Sequence, residues 1–201
     1  EKIIYLFYYK YKTTMKNLII ALLILNPIWF FSQSLFTKEE LLLATEGGDR
    51  WYKDIKICLY GKYTKQDSLD VVENIRIVKP LIKPINISMA KNKDSANVVI
   101  YFLTDAEFGN MFKWRKDQLL NIGISFVASA NHEIDVVSIH IDINQNKKFK
   151  SFSNTIRHEM FHMLGFSHYE KENNSILDRD NNFTEKDIQM LKCLYSKKFN
   201  T

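Results

Sequence analysis

Residues 158–168 read His158-Glu159-Met160-Phe161-His162-Met163-Leu164-Gly165-Phe166-Ser167-His168. Three of the chain's five histidines fall inside this run. It fits H-E-x-x-H-x-x-G-x-x-H at all its fixed positions, a coincidence expected in about one in 10⁵ chains of this length. The spacing constrains the local fold first. His158 and His162 are four residues apart, so in a helix they share one face, about one turn apart. Ile156, Met160 and Met163 then fall on the opposite face and can hold the helix in a core. Ser153 stands where it can cap the helix start. Gly165 stands where the helix must end, because glycine takes φ > 0 without steric cost and turns the chain back.

That turn brings His168 towards the two helical histidines. Three imidazoles suit one Zn²⁺, and three protein ligands leave a fourth position for water, as catalytic zinc sites do. Glu159 lies about 100° around the helix from His158. It can act there as general base without being a ligand. A buried amphipathic helix that merely carries histidines is the plainer reading. It does not account for Glu159, Gly165 and His168 falling in register.

The rest of the chain reads as strands and helices in one α+β domain with a mixed sheet. Residues 34–50 predict a short helix ending at Gly47-Gly48. Residues 51–60 predict a strand, as do 85–89 and the compact apolar run 97–103. Residues 67–79 carry Leu69, Val71, Val72, Ile75 and Val78 at mostly helical spacing, closed by Pro80 and Pro84. Residues 104–121 predict a loop with a helical turn, and 122–129 a strand. Residues 133–143 alternate, with Val137, Ile139, Ile141 and Ile143 on one face and Ser138, His140 and Asp142 on the other. Residues 144–150 break the pattern, and two helices follow at about 153–164 and 184–196.

Charge looks informative at first. The chain carries 28 basic and 23 acidic residues, a net charge of +5. Lys2, Lys10, Lys12 and Lys16 against Glu1 account for +3 of it within residues 1–33, leaving +2 for the remainder. No basic patch interleaved with aromatics remains, so nucleic-acid binding is not expected. Residues 15–33 instead read as a signal peptide: Met15 and Lys16, an apolar run over 18–31, then Ser32-Gln33-Ser34. The run is short for a membrane span and contains Pro27. A membrane association is expected only if residues 18–31 stay uncleaved as an anchor. Residues 1–14 are a leader without evident role, 34–49 a short N-terminal segment, and 50–201 the catalytic domain. Cys58 and Cys193 are even in number in an exported chain, so a disulfide between them is open, as are two buried thiols.

The run from His158 to His168 resembles that of the metzincin zinc endopeptidases, and more narrowly the matrixin-like members. Three further segments share the likeness. Asn174-Ser175-Ile176-Leu177 stands where that family has its Met-turn, with Leu177 in place of the methionine. That is a roughly volume-conserving apolar swap. Residues 183–195 resemble the family's last helix, with Thr184 and Asp187 as a capping box and Ile188, Leu191 and Tyr195 as its buried stripe. Residues 50–59 and 97–102 resemble its first and third strands. The likeness is sharp over 153–195 and loose over 50–150, and no cysteine lies in 34–49 to match the matrixin cysteine switch.

The resemblance implies a zincin-like α+β catalytic domain with a twisted mixed sheet, an active-site helix and a C-terminal helix. It implies one catalytic Zn²⁺ held by His158, His162 and His168, with Glu159 as general base. It also implies an endopeptidase acting on protein or peptide substrates; with the signal peptide, a secreted enzyme is expected, and a monomer. An edge strand within 123–129 would pair with extended substrate, and residues 178–183 would line a specificity pocket. Matrixins can hold a structural Ca²⁺ or Zn²⁺ near a strand like the one bearing His140 and Asp142. Those two and His132 do not make a ligand set, and they read as ordinary surface residues. The alternative functions are a catalytically inactive binding module on the same fold and a membrane-tethered surface protein.

Overall fold

The computed structural model describes residues 35–113, 123–144, 152–168, 177 and 183–196. The expected leader, signal peptide, Met-turn residues 174–176, pocket residues 178–182 and the break at 145–150 lie outside the described residues. From Phe36 onward the chain forms one compact unit.

The elements follow in the order α1 Lys38–Ala44, β1 Ile55–Gly61, α2 Lys65–Val78, β2 Ile87–Met89, a 3-10 turn Lys93–Ser95 and β3 Val98–Leu103. Then come α3 Asp105–Met111, β4 Gly123–Ala130, β5 Glu133–Asp142, α4 Phe152–Met163 and α5 Glu185–Leu194. The sheet order is β2-β1-β3-β5-β4. β2, β1, β3 and β5 run parallel, and β4 is antiparallel to β5 at one edge. The expected α+β class with a mixed sheet is therefore what the chain adopts, and the edge strand falls where the 123–129 segment was expected.

The sheet's inner rows explain its register. Ile57, Val98 and Val137 lie side by side on β1, β3 and β5, and Leu59, Ile100 and Ile139 form the next row. A one-residue slip would turn each of these apolar sets to the wrong face. α4 packs on β4, β5 and α2, with Ile156, Met160 and Met163 buried as their spacing predicted. On the other face α3 brings Phe108 and Phe112 onto Leu103, Ile124 and Tyr101. β4 and β5 are joined through Asn131 and His132, both at positive φ (51° and 62°), as a type I′ hairpin turn requires.

Several boundaries differ from expectation. Residues 51–54 are not in β1: Trp51 is 1% exposed and wedged in the core, and the backbone there bridges instead from Arg50 to Glu133. α2 buries Val71, Ile75 and Val78, while Leu69 and Val72 are exposed. Residues 105–111 form a full helix because Thr104 and Glu107 make a reciprocal capping box. α4 begins at Phe152, so Ser153 lies inside its first turn and not before it. In α5 the Thr184–Asp187 capping box is present, and the buried stripe is Met190, Leu191, Leu194 and Tyr195, with Ile188 only half-buried.

The segment 36–49 is part of the core and not an appendage. Leu41 and Ala44 are fully buried. Cys58 and Cys193 are free thiols, so the bridge that sequence left open is not formed. Cys58 is buried in β1, its Sγ directed to the neighbouring Leu59 carbonyl at 3.5 Å, while Cys193 lies half-buried on α5.

Candidate metal and catalytic site

The end of α4 fixes the site. Its last carbonyls would be orphaned without partners. Gly165 takes φ of 100° and its N–H donates to the His162 carbonyl at 2.9 Å, while the Phe166 N–H reaches the Phe161 carbonyl at 3.4 Å. These two bonds make a Schellman motif. The apolar contact that accompanies such motifs is present as well: the Phe161 and Phe166 rings stack with centroids 4.1 Å apart. The Trp51 indole N–H donates to the Met163 carbonyl at 2.8 Å, and the Tyr195 hydroxyl to that of Leu164 at 3.0 Å. Burial pushes the Tyr195 phenol well above its ordinary pKa, so it stays a donor.

The chain then returns as the spacing predicted. The Ser167 N–H donates to the Ala44 carbonyl at 2.7 Å and its hydroxyl to Glu46 Oε1 at 2.6 Å. Both bonds hold the residue before His168. The ring centroids of His158 and His162, His158 and His168, and His162 and His168 are 4.8, 5.2 and 5.0 Å apart. One ligand atom from each lies within 4.8 Å of the others, so the structure brings all three predicted ligands together.

Their chemistry follows from partners. His162 Nδ1 lies 2.7 Å from the Phe166 carbonyl, which can only accept, so Nδ1 carries the proton. Burial and the neighbouring His158 push the His162 pKa down to about 3, keeping the ring neutral with a lone pair on Nε2. That Nε2 faces Nε2 of His158 at 3.1 Å. Two ligands of one tetrahedral zinc with bonds of about 2.0–2.1 Å stand roughly 3.3 Å apart. A carbonyl holding the far nitrogen is the usual support of a metal-binding histidine. The donor set therefore fits a borderline divalent cation such as zinc.

Glu159 is 5% exposed, buried between α4 and β4. The Ser125 hydroxyl on β4 donates to Glu159 Oε2 at 2.6 Å. Gly123, two residues earlier, lies so close that an added Cβ would stand 2.6 Å from Glu159 Oε1. Neither residue was identified from sequence, and no local spacing marks them. Leu177 is buried in the main core, 4% exposed.

The surface reading holds for His132, which is exposed, and is corrected for His140 and Asp142. His140 is 8% exposed, stacked on Tyr101 at 4.8 Å and edged by Phe112 and Phe126. Burial lowers its pKa. Asp142 is also buried, and its Oδ1 accepts from the Asn144 N–H at 2.9 Å. His132 is paired through Nδ1 with Asp49 at 2.9 Å, and Ser129 also donates to Asp49. Because that serine bonds the carboxylate and not the imidazole, the trio is not arranged to activate a nucleophile.

A scan of protein-family models gives no match to the chain, and a search of curated proteins gives none either.

Proposed function

We propose that the chain is a secreted, zinc-dependent metalloendopeptidase with a metzincin-like catalytic domain that hydrolyses internal peptide bonds of proteins or peptides. The observation that carries this reading is the convergence of His158, His162 and His168, with the buried Glu159 following the first of them on the same helix. His158, His162 and His168 would hold the zinc. The chemistry a bound zinc supplies is Lewis acidity, which polarises a carbonyl and lowers the pKa of water towards about 7.

The chain's own groups do the remainder. Glu159 accepts the proton of the attacking water and delivers it to the leaving amine, a role worth typically 10²–10⁴-fold. β4 is the edge strand, and among the described residues no strand pairs with its outer side. Its exposed stretch, Phe126 to Ala130, offers backbone groups to an extended peptide. Main-chain pairing of that kind holds a polypeptide at an internal bond without fixing its side chains.

The reading is tested with purified residues 34–201, zinc-loaded, digesting a mixed peptide library with and without chelator. Internal cleavages that disappear on chelation support it. Zinc-loaded protein that cleaves nothing would favour an inactive binding module.

A further inference from the structure

We infer that Ser125 is a positioning residue that fixes the carboxylate of Glu159, with Gly123 providing the room for its second oxygen. The inference rests on the metalloendopeptidase reading above.

Ser125 Oγ lies 2.6 Å from Glu159 Oε2 and 3.2 Å from the Glu159 carbonyl. A hydroxyl has one proton to give, and the carboxylate is both nearer and the stronger acceptor. The bond therefore distinguishes two otherwise equivalent oxygens, with Oε2 held by β4. Oε1 is the oxygen beside Gly123. An added Cβ there would lie 2.6 Å from Oε1, 2.8 Å from Cγ and 2.9 Å from Cδ. A Cβ at these distances would have to be relieved by a shift, and the group that would move is the Glu159 side chain itself.

Gly123 is not in the left-handed region, so its lack of a side chain serves space and not backbone shape. Residues 123 and 125 are successive positions on one face of the strand. They bracket the carboxylate, one by leaving room and one by a hydrogen bond. The same β4 offers its outer edge to substrate. One element would then set both the peptide's path and the base's orientation.

The experiment compares wild type, Ser125→Ala, Ser125→Thr and Gly123→Ala, each with zinc content measured. Steady-state kinetics use one internally quenched peptide chosen from the library digestion. Ser125→Ala should bind one zinc and keep KM within about twofold, while kcat falls about 10–100-fold, the range for losing a hydrogen bond to a charged group. Ser125→Thr, which keeps the hydroxyl, should recover kcat to within about threefold of wild type. Gly123→Ala should also lower kcat. A second measurement does not depend on activity: melting of metal-free single and double variants at 125 and 159. Ser125→Ala should lower Tm in the wild-type background and change it far less in Glu159→Ala. Unchanged kcat in Ser125→Ala, or additive Tm changes, would overturn the positioning role while leaving the endopeptidase reading intact. Zinc-loaded wild type that cleaves nothing overturns that reading and this inference with it.

Discussion

Nε2 of His162 stands 3.1 Å from Nε2 of His158, with His162 Nδ1 committed to the Phe166 carbonyl. Neither residue can be spared if both nitrogens share one ion. His158→Ala and His162→Ala are each expected to bind less than about a tenth of the wild type's zinc after gel filtration, because two imidazoles alone form a weak site. Metal analysis by mass spectrometry reads this directly. Full zinc in either variant would mean that the ion sits elsewhere.

The Gly165 turn offers a paired test. Its φ is 100°, and an added Cβ would lie 2.1 Å from the Asp49 carbonyl oxygen. Gly165→Ala should therefore be severely destabilised, by more than about 3 kcal/mol, combining φ strain with a clash against backbone. Gly109, inside α3 with nothing within 4 Å of its added Cβ, is the control. Gly109→Ala should be neutral or stabilising by up to about 1 kcal/mol. Chemical denaturation measures both, and equal effects would contradict the difference drawn between them.

Trp51 joins the segment before β1 to the end of α4 through its indole N–H. Trp51→Phe keeps most of the apolar volume but strands the Met163 carbonyl. A loss of about 1–3 kcal/mol in unfolding free energy is expected. An unchanged denaturation midpoint would show that the packing, and not the hydrogen bond, is what matters.

His140 predicts an acid-side loss of stability. It is packed by Tyr101 from β3, by Phe126 from β4, by Phe112 just after α3 and by Ser138 on its own strand. Asp142, two residues on along β5, is also buried, its Oδ1 accepting from the Asn144 backbone, and Lys93 lies over the ring of Tyr101. Burial lowers the folded-state pKa below the usual 6.5, so the unfolded chain binds more protons in the window beneath 6.5. Stability from the neutral ring is complete above that value and is lost as pH falls. The Tm should drop on going from pH 7 to pH 5, and His140→Phe should flatten that part of the profile. A slope that His140→Phe leaves unchanged would assign the acid sensitivity to other groups.

What could be read from sequence was what depends on near neighbours. The i, i+4 histidines, the glycine ending the helix and the return to His168 are all set within eleven residues. The alternation of β5 showed which of its side chains face the α4 side. The capping box at Thr184 was legible for the same reason. Ser125 reaches Glu159 across 34 positions, and only the packing of α4 on β4 decides that it does. His140 looks like a surface residue in its own strand, because its aromatic neighbours come from three other segments. Trp51 belongs to a strand-like pattern, yet its indole is claimed by a carbonyl 112 positions away. The cysteines carried no local signal of their state.

In the proposed reaction Glu159 moves the proton at a site held by the three histidines. The most direct measurement is cleavage of one internal peptide bond by wild type and Glu159→Ala at equal, measured zinc content. The expected result is one zinc in each protein with the Glu159→Ala rate lower by at least about 10²-fold. Equal rates at equal zinc would contradict it.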